Sequence, residues 1–432
     1  GAAVAAAGTC SSDPSGTAPS ATDPLVVNVT TPAAGTVAIT KGGAGAPEPG
    51  FTMAGFSAQI TAPAASAAVP LLIVFSVASS APNLAVFRNG VAVPDCTSPG
   101  STTASPDPCV SSETVSGGVV TLEVLTSSAS TWTFGTAAVS KVTRVAGGDR
   151  DATAVAVSQA GFAAGAAGAV VLARDDTFPD ALAGAPLAVA NHGPILLTPP
   201  TTLAAVTQTE LARVLPAGGR VYLLGGTTAL SPAVAQAVAG LGYQVVRIAG
   251  SDRYATAVAV AGAVGAPSAV LLARGDDFPD ALAAGAATGV AGRVIILTDG
   301  ASLPPASAAY LQGHPGTPVY AIGGSAAQAD PQATAVAGAD RYATSVLVAQ
   351  RFFAAPAAAG LATGANFPDA LAAGPRLASL GAPLLLTDPN VLSPAVSAYL
   401  SAGKAQLARV EVYGGTAAVS TAVEQAASGA LS

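Results

Sequence analysis

From Val142 onward, short apolar runs alternate with segments of helical period. In the first cycle Val142 to Ala146, Ala169 to Ala173, Ile195 to Thr198 and Arg220 to Leu224 read as strands. Asp151 to Phe162 and Leu203 to Leu215 read as helices, and another helix is expected from Pro179. A last one, Pro232 to Ala239, follows Ser231, whose hydroxyl can accept from the first turn while proline presets φ. Strands without polar alternation, each followed by a helix, predict a parallel sheet covered on both faces.

The pattern before Val142 is different. Leu25 to Thr30, Gly35 to Thr40, Ser57 to Thr61, Leu71 to Val77, Val119 to Leu125 and Thr131 to Phe134 are short strands between turns. Asn89-Gly90 joins Leu84 to Arg88 with Val91 to Val93, a two-residue hairpin signal, because both residues tolerate positive φ. Seven or eight such strands indicate an immunoglobulin-like sandwich over residues 25–140. Residues 1–24 are mostly Ala, Gly, Ser, Thr and Pro with no periodicity, and predict an extended, low-complexity tail. Ordering it would cost about 1–2 kcal/mol per residue, so a neighbouring copy is the expected support.

Four landmarks recur three times in one order. An Asp-Arg pair (Asp149-Arg150, Asp252-Arg253, Asp340-Arg341) precedes Phe-Pro-Asp-Ala-Leu, which begins at Phe178, Phe278 and Phe367. An apolar run ending in Thr198, Thr298 or Thr387 follows, then Gly225-Gly226, Gly323-Gly324 or Gly414-Gly415. Such self-similarity marks tandem modules, with boundaries at 141–243, 244–332 and 333–432. The second is shorter after its Gly-Gly pair, which predicts a last helix that is missing or reduced to a turn.

Charged residues make up only 9% of the chain, and the net charge of −7 is concentrated at the start. Residues 1–140 carry two basic and seven acidic side chains, residues 141–432 fifteen and seventeen. That balance excludes the basic excess of a nucleic-acid binder. An anionic partner would have to meet local arginines. Cys96 and Cys109 flank a Ser/Thr/Pro-rich segment without metal-ligand spacing, so a disulfide worth roughly 3 kcal/mol is expected, in an oxidising compartment. Cys10 is left over as a free thiol, an intermolecular link or a modified residue. The apolar runs are broken by Gly and Pro, so no membrane span is expected, and a secretion signal is taken to have been removed.

The landmarks have structural and chemical readings side by side. In Phe-Pro-Asp-Ala-Leu, proline starts a helix and aspartate favours its positive end. The chemical reading puts Asp180, Asp280 and Asp369 at the carboxyl edge of a parallel sheet, where ligands bind. The Asp-Arg pairs are expected to form ion pairs at helix starts, or else to turn Arg150, Arg253 and Arg341 toward a phosphate or uronate. Asp175-Asp176 and Asp276-Asp277 suggest calcium, but Gly364-Ala365-Asn366 stands in the third copy, so no metal common to the repeats is expected. The Gly-Gly pairs lack a GxGxxG or P-loop context, and His192 and His314 have no nucleophile in register. Neither a cofactor nor catalysis is expected.

The combined unit is Arg-x-Ala-Gly-x-Asp-Arg-[Tyr/Asp]-Ala-Thr, then Phe-Pro-Asp-Ala-Leu-Ala, Leu-Leu-Thr and Gly-Gly-Thr-x-Ala-[Leu/Val]-Ser. Over residues 142–432 it resembles the cell-wall-binding repeat of Gram-positive surface proteins. The resemblance implies three Rossmann-like modules in a pseudo-threefold arrangement that hold anionic secondary wall polymers without a covalent bond. On that reading Asp149, Arg150, Asp180, Asp252, Arg253, Asp280, Asp340, Arg341 and Asp369 are the candidate polymer-binding residues. The chain would be a secreted, non-enzymatic surface protein, such as a surface-layer subunit, that self-associates through its tail and β-domain. The alternatives are an α/β-repeat hydrolase and a wall-anchored adhesin presenting the β-domain. Three departures stand out: Asp151 against Tyr254 and Tyr342, Ala335 against Arg144 and Arg247, and Ser325 after the second Gly-Gly pair.

Overall fold

The computed structural model describes residues 1–48, 51–79, 84–98, 100–137, 140–290 and 292–432. They form two compact units, Gly1–Ser140 and Lys141–Ser432.

In the first unit the strands are β1 (Ala2–Val4), β2 (Thr9–Ser11), β3 (Leu25–Thr30), β4 (Gly35–Gly43), β5 (Phe51–Thr61) and β6 (Leu71–Ala78). They continue with β7 (Leu84–Arg88), β8 (Val91–Ala92), β9 (Cys109–Ser116), β10 (Val119–Thr126) and β11 (Thr131–Ala137). One sheet runs β1-β4-β5-β11-β7-β8 and the other β2-β3-β6-β10-β9. Alternation decides which side chains go inside: Leu71, Ile73, Phe75 and Val77 of β6 are buried while their neighbours are not. Phe75 meets Trp132 and Phe134 of the opposing sheet at ring-centroid distances of 5.5 and 5.0 Å. The Asn89-Gly90 turn joins β7 to β8, with Arg88 opposite Val91. Cys96 and Cys109 are bonded to each other.

Residues 1–24 are not simply an extended tail. Ala2–Val4 pairs with β4 and Thr9–Ser11 with β3, so the segment edges both sheets of its own sandwich. Main-chain pairing is indifferent to side chains, which is why no hydrophobic pattern announced it. The support expected from a neighbour comes from the same chain.

In the second unit the first repeat comprises β12 (Val142–Val145), α1 (Arg150–Gly161), β13 (Ala169–Arg174), α2 (Ala185–Ala190), β14 (Ile195–Thr198), α3 (Ala205–Val214), β15 (Arg220–Leu224) and α4 (Pro232–Gly240). The second has β16 (Gln244–Ile248), α5 (Arg253–Val264), β17 (Ala269–Arg274), α6 (Pro279–Ala286), β18 (Arg293–Thr298), α7 (Pro305–Gly313), β19 (Val319–Ile322) and α8 (Gly324–Ala329). The third has β20 (Thr334–Val336), α9 (Arg341–Phe352), β21 (Ala358–Thr363), α10 (Pro368–Ser379), β22 (Leu384–Thr387), α11 (Pro394–Gly403), β23 (Arg409–Tyr413) and α12 (Thr421–Ala430).

Two helices differ from expectation. The segment after Phe178 begins as turns, and regular helix starts only at Ala185. Gly184 stands where the other repeats have Ala284 and Ala373, and glycine is about 1 kcal/mol poorer than alanine in a helix. In the second repeat the last helix is present but short, because α8 starts directly at Gly324 without an intervening loop.

Each parallel sheet borrows its fourth strand from another repeat. The orders are β14-β13-β15-β16, β18-β17-β19-β20 and β12-β23-β21-β22. The opening strand of every repeat thus lies in the preceding repeat's sheet, and β12 closes the ring by pairing with β23, Val142 opposite Val410. The first helix of each repeat packs on the central helix of the preceding one: α1 on α10, α5 on α2, α9 on α6. Small residues allow the three central helices, α2, α6 and α10, to converge. A Cβ on Gly285 or on Gly374 would lie 3.4 Å from that of Ala185. Phe178, Phe278 and Phe367 meet nearby, with centroids 5.4 to 6.2 Å apart.

Candidate functional site

The Asp-Arg landmark is a helix start. Asp149, Asp252 and Asp340 are N-caps whose Oδ1 accepts from the backbone N–H of Ala152, Ala255 and Ala343 at 2.8, 2.8 and 2.7 Å. The threonine of each motif returns the bond: Thr153, Thr256 and Thr344 accept from the N–H of Gly147, Gly250 and Gly338. Those glycines have no room for a Cβ, which would sit within 2.6 Å of the alanine backbone. Gly, Asp, Ala and Thr of the motif are therefore one cap.

The arginine does not pair with its aspartate neighbour among the described residues, so the expected intra-pair ion bridge is corrected. Instead Nη1 of Arg150, Arg253 and Arg341 donates to the backbone carbonyl of Asp175, Gly275 and Gly364 at 2.7, 2.8 and 2.6 Å. These carbonyls lie just beyond the carboxyl ends of β13, β17 and β21. The aspartate caps because the orphan N–H groups are adjacent, while the longer guanidinium reaches the sheet edge.

Phe-Pro-Asp-Ala-Leu and Gly-Gly turn out to be two halves of one contact. The first glycine of each pair, Gly225, Gly323 or Gly414, has φ of +89°, +88° or +101°. A Cβ there would lie 2.3, 1.9 or 2.3 Å from Oδ2 of Asp180, Asp280 or Asp369. Glycine is required twice over, for the left-handed backbone and for the carboxylate against it. The second glycine of each pair faces open space.

Burial pushes Asp280 up to about 6, helped by Asp277 and opposed by Arg341 and Arg274. Asp369 is also raised by burial, against a hydrogen bond with Thr153 and the charge of Arg150. Each of these two aspartates thus faces the Asp-Arg loop of the following repeat around the ring. At the closing seam a groove of about 360 Å³ is lined by Gly148, Asp149 and Arg150 on one side and Asn366, Asp369 and Gly415 on the other. Arg341 crosses its seam in the same way, 3.5 Å from Asp277 and over the ring of Phe278 at 5.8 Å.

One aspartate of each pair suggested as a calcium ligand is occupied otherwise. Asp176 and Asp276 each take a two-pronged bond from Arg174 and Arg274 at 2.6 to 2.8 Å. Arg274 holds Asp276 down at about 2. No group of three or more metal-ligating side chains occurs among the described residues. No helix among them is long and apolar enough to cross a membrane.

Arg144 and Arg247 act where the motif alone gave them no role. Arg247 donates to the carbonyls of Gly225, Gly226 and Leu230, and Arg144 to that of Gly414 and to Glu424. They pin the loop between the Gly-Gly pair and the last helix. In the second repeat α8 follows at once, no loop needs pinning, and Ala335 stands in place of arginine. The shortened end and the missing arginine were both visible in the sequence, and together they were the signal.

Three strand-exchanged α/β repeats with a ligand-sized groove at the carboxyl edge of a sheet define a ring of binding modules. The model of the cell wall binding domain 2 (CWB2) family matches it three times, at residues 144–235, 247–331 and 335–424, and the chain belongs to that family. The family places the chain at the cell wall or cell surface, with its repeats as the wall-anchoring modules.

Over 288 residues the chain is 29% identical to the N-acetylmuramoyl-L-alanine amidase LytC of Bacillus subtilis (strain 168), covering 65% of this chain and 57% of LytC. Among solved structures it is similar to Cwp8 from Clostridium difficile, 26% identical with a TM-score of 0.60, over 67% of this chain and 52% of Cwp8. Cwp6 from the same organism shares the fold over 92% of this chain and 68% of its own length, at 20% identity and a TM-score of 0.59. The chain therefore spans little more than half the length of LytC and Cwp8.

Proposed function

We propose that the seam grooves hold anionic secondary wall polymers without a covalent bond and so attach a secreted, non-enzymatic protein to the wall. The observation that carries this is the closing-seam groove, where Arg150 and the open Gly415 backbone lie together at a sheet's carboxyl edge. A planar guanidinium beside accessible backbone suits a phosphate or carboxylate better than a neutral sugar. Asp149, Arg150 and Asp369 would form one such site, Asp252, Arg253 and Asp180 a second, and Asp340, Arg341 and Asp280 a third. The disulfide supports secretion, since such bonds persist in oxidising surroundings. The β-sandwich would link copies into a surface layer or array, with β1 and β2 donated to a neighbour in place of their own sheets.

The binding test uses purified wall sacculi, before and after chemical removal of the secondary polymers. The protein is expected to pellet with the intact sacculi and to stay in solution with the stripped ones. Equal pelleting with both, or with neither, contradicts the proposal. The array is tested separately: a chain lacking residues 1–11 should bind sacculi but form no ordered assembly.

A further inference from the structure

Repeats two and three share an arrangement that the first lacks. After the Asp-Arg pair they have Tyr254 or Tyr342, whose ring edge lies 3.0 or 2.8 Å from where a Cβ on Gly275 or Gly364 would be. Asp299 faces Tyr254, and Asp388 faces Tyr342. In the first repeat all three positions change together: Asp151 replaces the tyrosine, Asp175 the glycine and Pro199 the distal aspartate. The place of a ring packed on bare backbone goes to two carboxyl groups.

Asp151 is only 7% exposed, and its Oδ1 reaches no hydrogen-bond partner. Among the described residues the one cation that faces both carboxyls is Arg150, itself held on the carbonyl of Asp175. Asp149 stands on the same helix end, Asp176 is bound to Arg174, and Asp369 faces Arg150 from α10. The other charged groups packed on α1 are spent elsewhere: Arg144 of β12 on Glu424, Glu210 of α3 on Arg213, and Arg376 of α10 on Glu411. β14 brings no charge. An unpartnered buried carboxyl beside a second one is stabilised by holding a proton.

We propose that Asp151 takes up a proton, and that its loss or uptake sets how much of Arg150's charge remains for an anionic ligand in the groove between the third and first repeats. Burial first, then Asp175 and Asp149, push Asp151 up to about 6, and burial followed by Asp176 raises Asp175. Arg150 thus faces an excess of carboxylates at neutral pH and fewer charged ones in an acidic medium. Tyr254 and Tyr342 give the second and third repeats no such pair.

This inference rests on the groove's being an anion site, so its test has two arms on the full chain. The first needs no ligand: unfolding midpoints are followed between about pH 7.5 and pH 5. The wild type should gain about 2–4 °C more on acidification than Asp151→Asn or the double variant Asp151→Tyr, Asp175→Gly. Parallel curves for all three overturn the proton on Asp151. So does stabilisation of the wild type, but not of Asp151→Asn, by millimolar calcium, which would mean that the pair holds a cation.

The second arm measures pelleting with sacculi at the two pH values. Wild-type affinity should rise severalfold at the lower pH, and Asp151→Asn at the higher pH should already match it. If Asp151→Asn tracks the wild type throughout, the control of Arg150 is overturned. If nothing pellets at either pH, the anion site and its control both fall, while the unfolding curves still decide the proton.

Discussion

On the third repeat's side of its seam with the first, Arg376 and Glu411 form a two-pronged ion pair at 2.8 and 2.6 Å, and Tyr413 donates to Glu411. Both charged residues are less than 9% exposed. At the matching places the first repeat has Leu187 and Tyr222, and the second has Ala287 and Tyr320. The ends of the facing helices differ in step. Arg376 donates to the carbonyl of Ala160 beside Gly161, whereas Phe352 meets Tyr320 at 5.1 Å and lies under Arg293 at 4.9 Å.

The difference follows connectivity. The other two seams join consecutive repeats, so the chain itself brings their halves together; between the second and third, Phe352 on Tyr320 stands where the closing seam has Arg376 on Ala160. The closing seam must find its partner across the whole ring. The Arg376–Glu411 pair lies within the third repeat and fixes the guanidinium that crosses to Ala160 of the first; a buried pair of this kind adds little net stability but is costly to break. Arg144–Glu424 at 2.6 Å and the Lys141 ammonium on the carbonyl of Lys404 add further polar ties there.

The largest effect should come from Glu411→Ala, which strands Arg376 and should cost about 3–5 kcal/mol in chemical denaturation. Tyr222→Phe at the equivalent place should cost less than about 1 kcal/mol. Equal losses would erase the distinction between the seams. Next come Gly225→Ala, Gly323→Ala and Gly414→Ala, each forcing a Cβ onto an aspartate at positive φ, with an expected loss of about 2–3 kcal/mol. Similar values at all three would show that this contact, unlike the ion pair, is common to every repeat.

Acidification should act in two directions. Asp280, raised to about 6, binds a proton more tightly in the folded state than in the unfolded chain. Its contribution therefore grows as pH falls through 6 and is complete near the unfolded value of about 4. Solvent screening leaves it about 1 kcal/mol, removed by Asp280→Asn. Asp276, held at about 2 by Arg274, stabilises above about pH 4 and loses that contribution as pH falls toward 2. A denaturation series from pH 8 to 2 should rise and then fall. The smallest effect, about 1 kcal/mol each, is expected for Asp149→Ala, Asp252→Ala and Asp340→Ala, where only a helix cap is lost.

Repetition made much of this legible. Ile195–Thr198 and Arg220–Leu224 are strands to the residue, and the three landmark sets meet in space. The exchange of β12, β16 and β20 between repeats was not, since an apolar strand carries no local mark of the sheet that will take it. The contact of Asp180, Asp280 and Asp369 with Gly225, Gly323 and Gly414 was hidden for the same reason: its halves lie about 45 residues apart. β1 and β2 were missed because edge pairing needs only backbone.

The central claim is that the seam arginines bind the wall, and their combined removal tests it most directly. Full-length protein carrying Arg150→Gln, Arg253→Gln and Arg341→Gln, checked for a retained unfolding transition, is sedimented with sacculi that keep their secondary polymers. Each single variant should pellet more weakly and the triple one almost not at all, with wild-type binding growing weaker as salt is added. A folded triple variant that pellets like the wild type would contradict it.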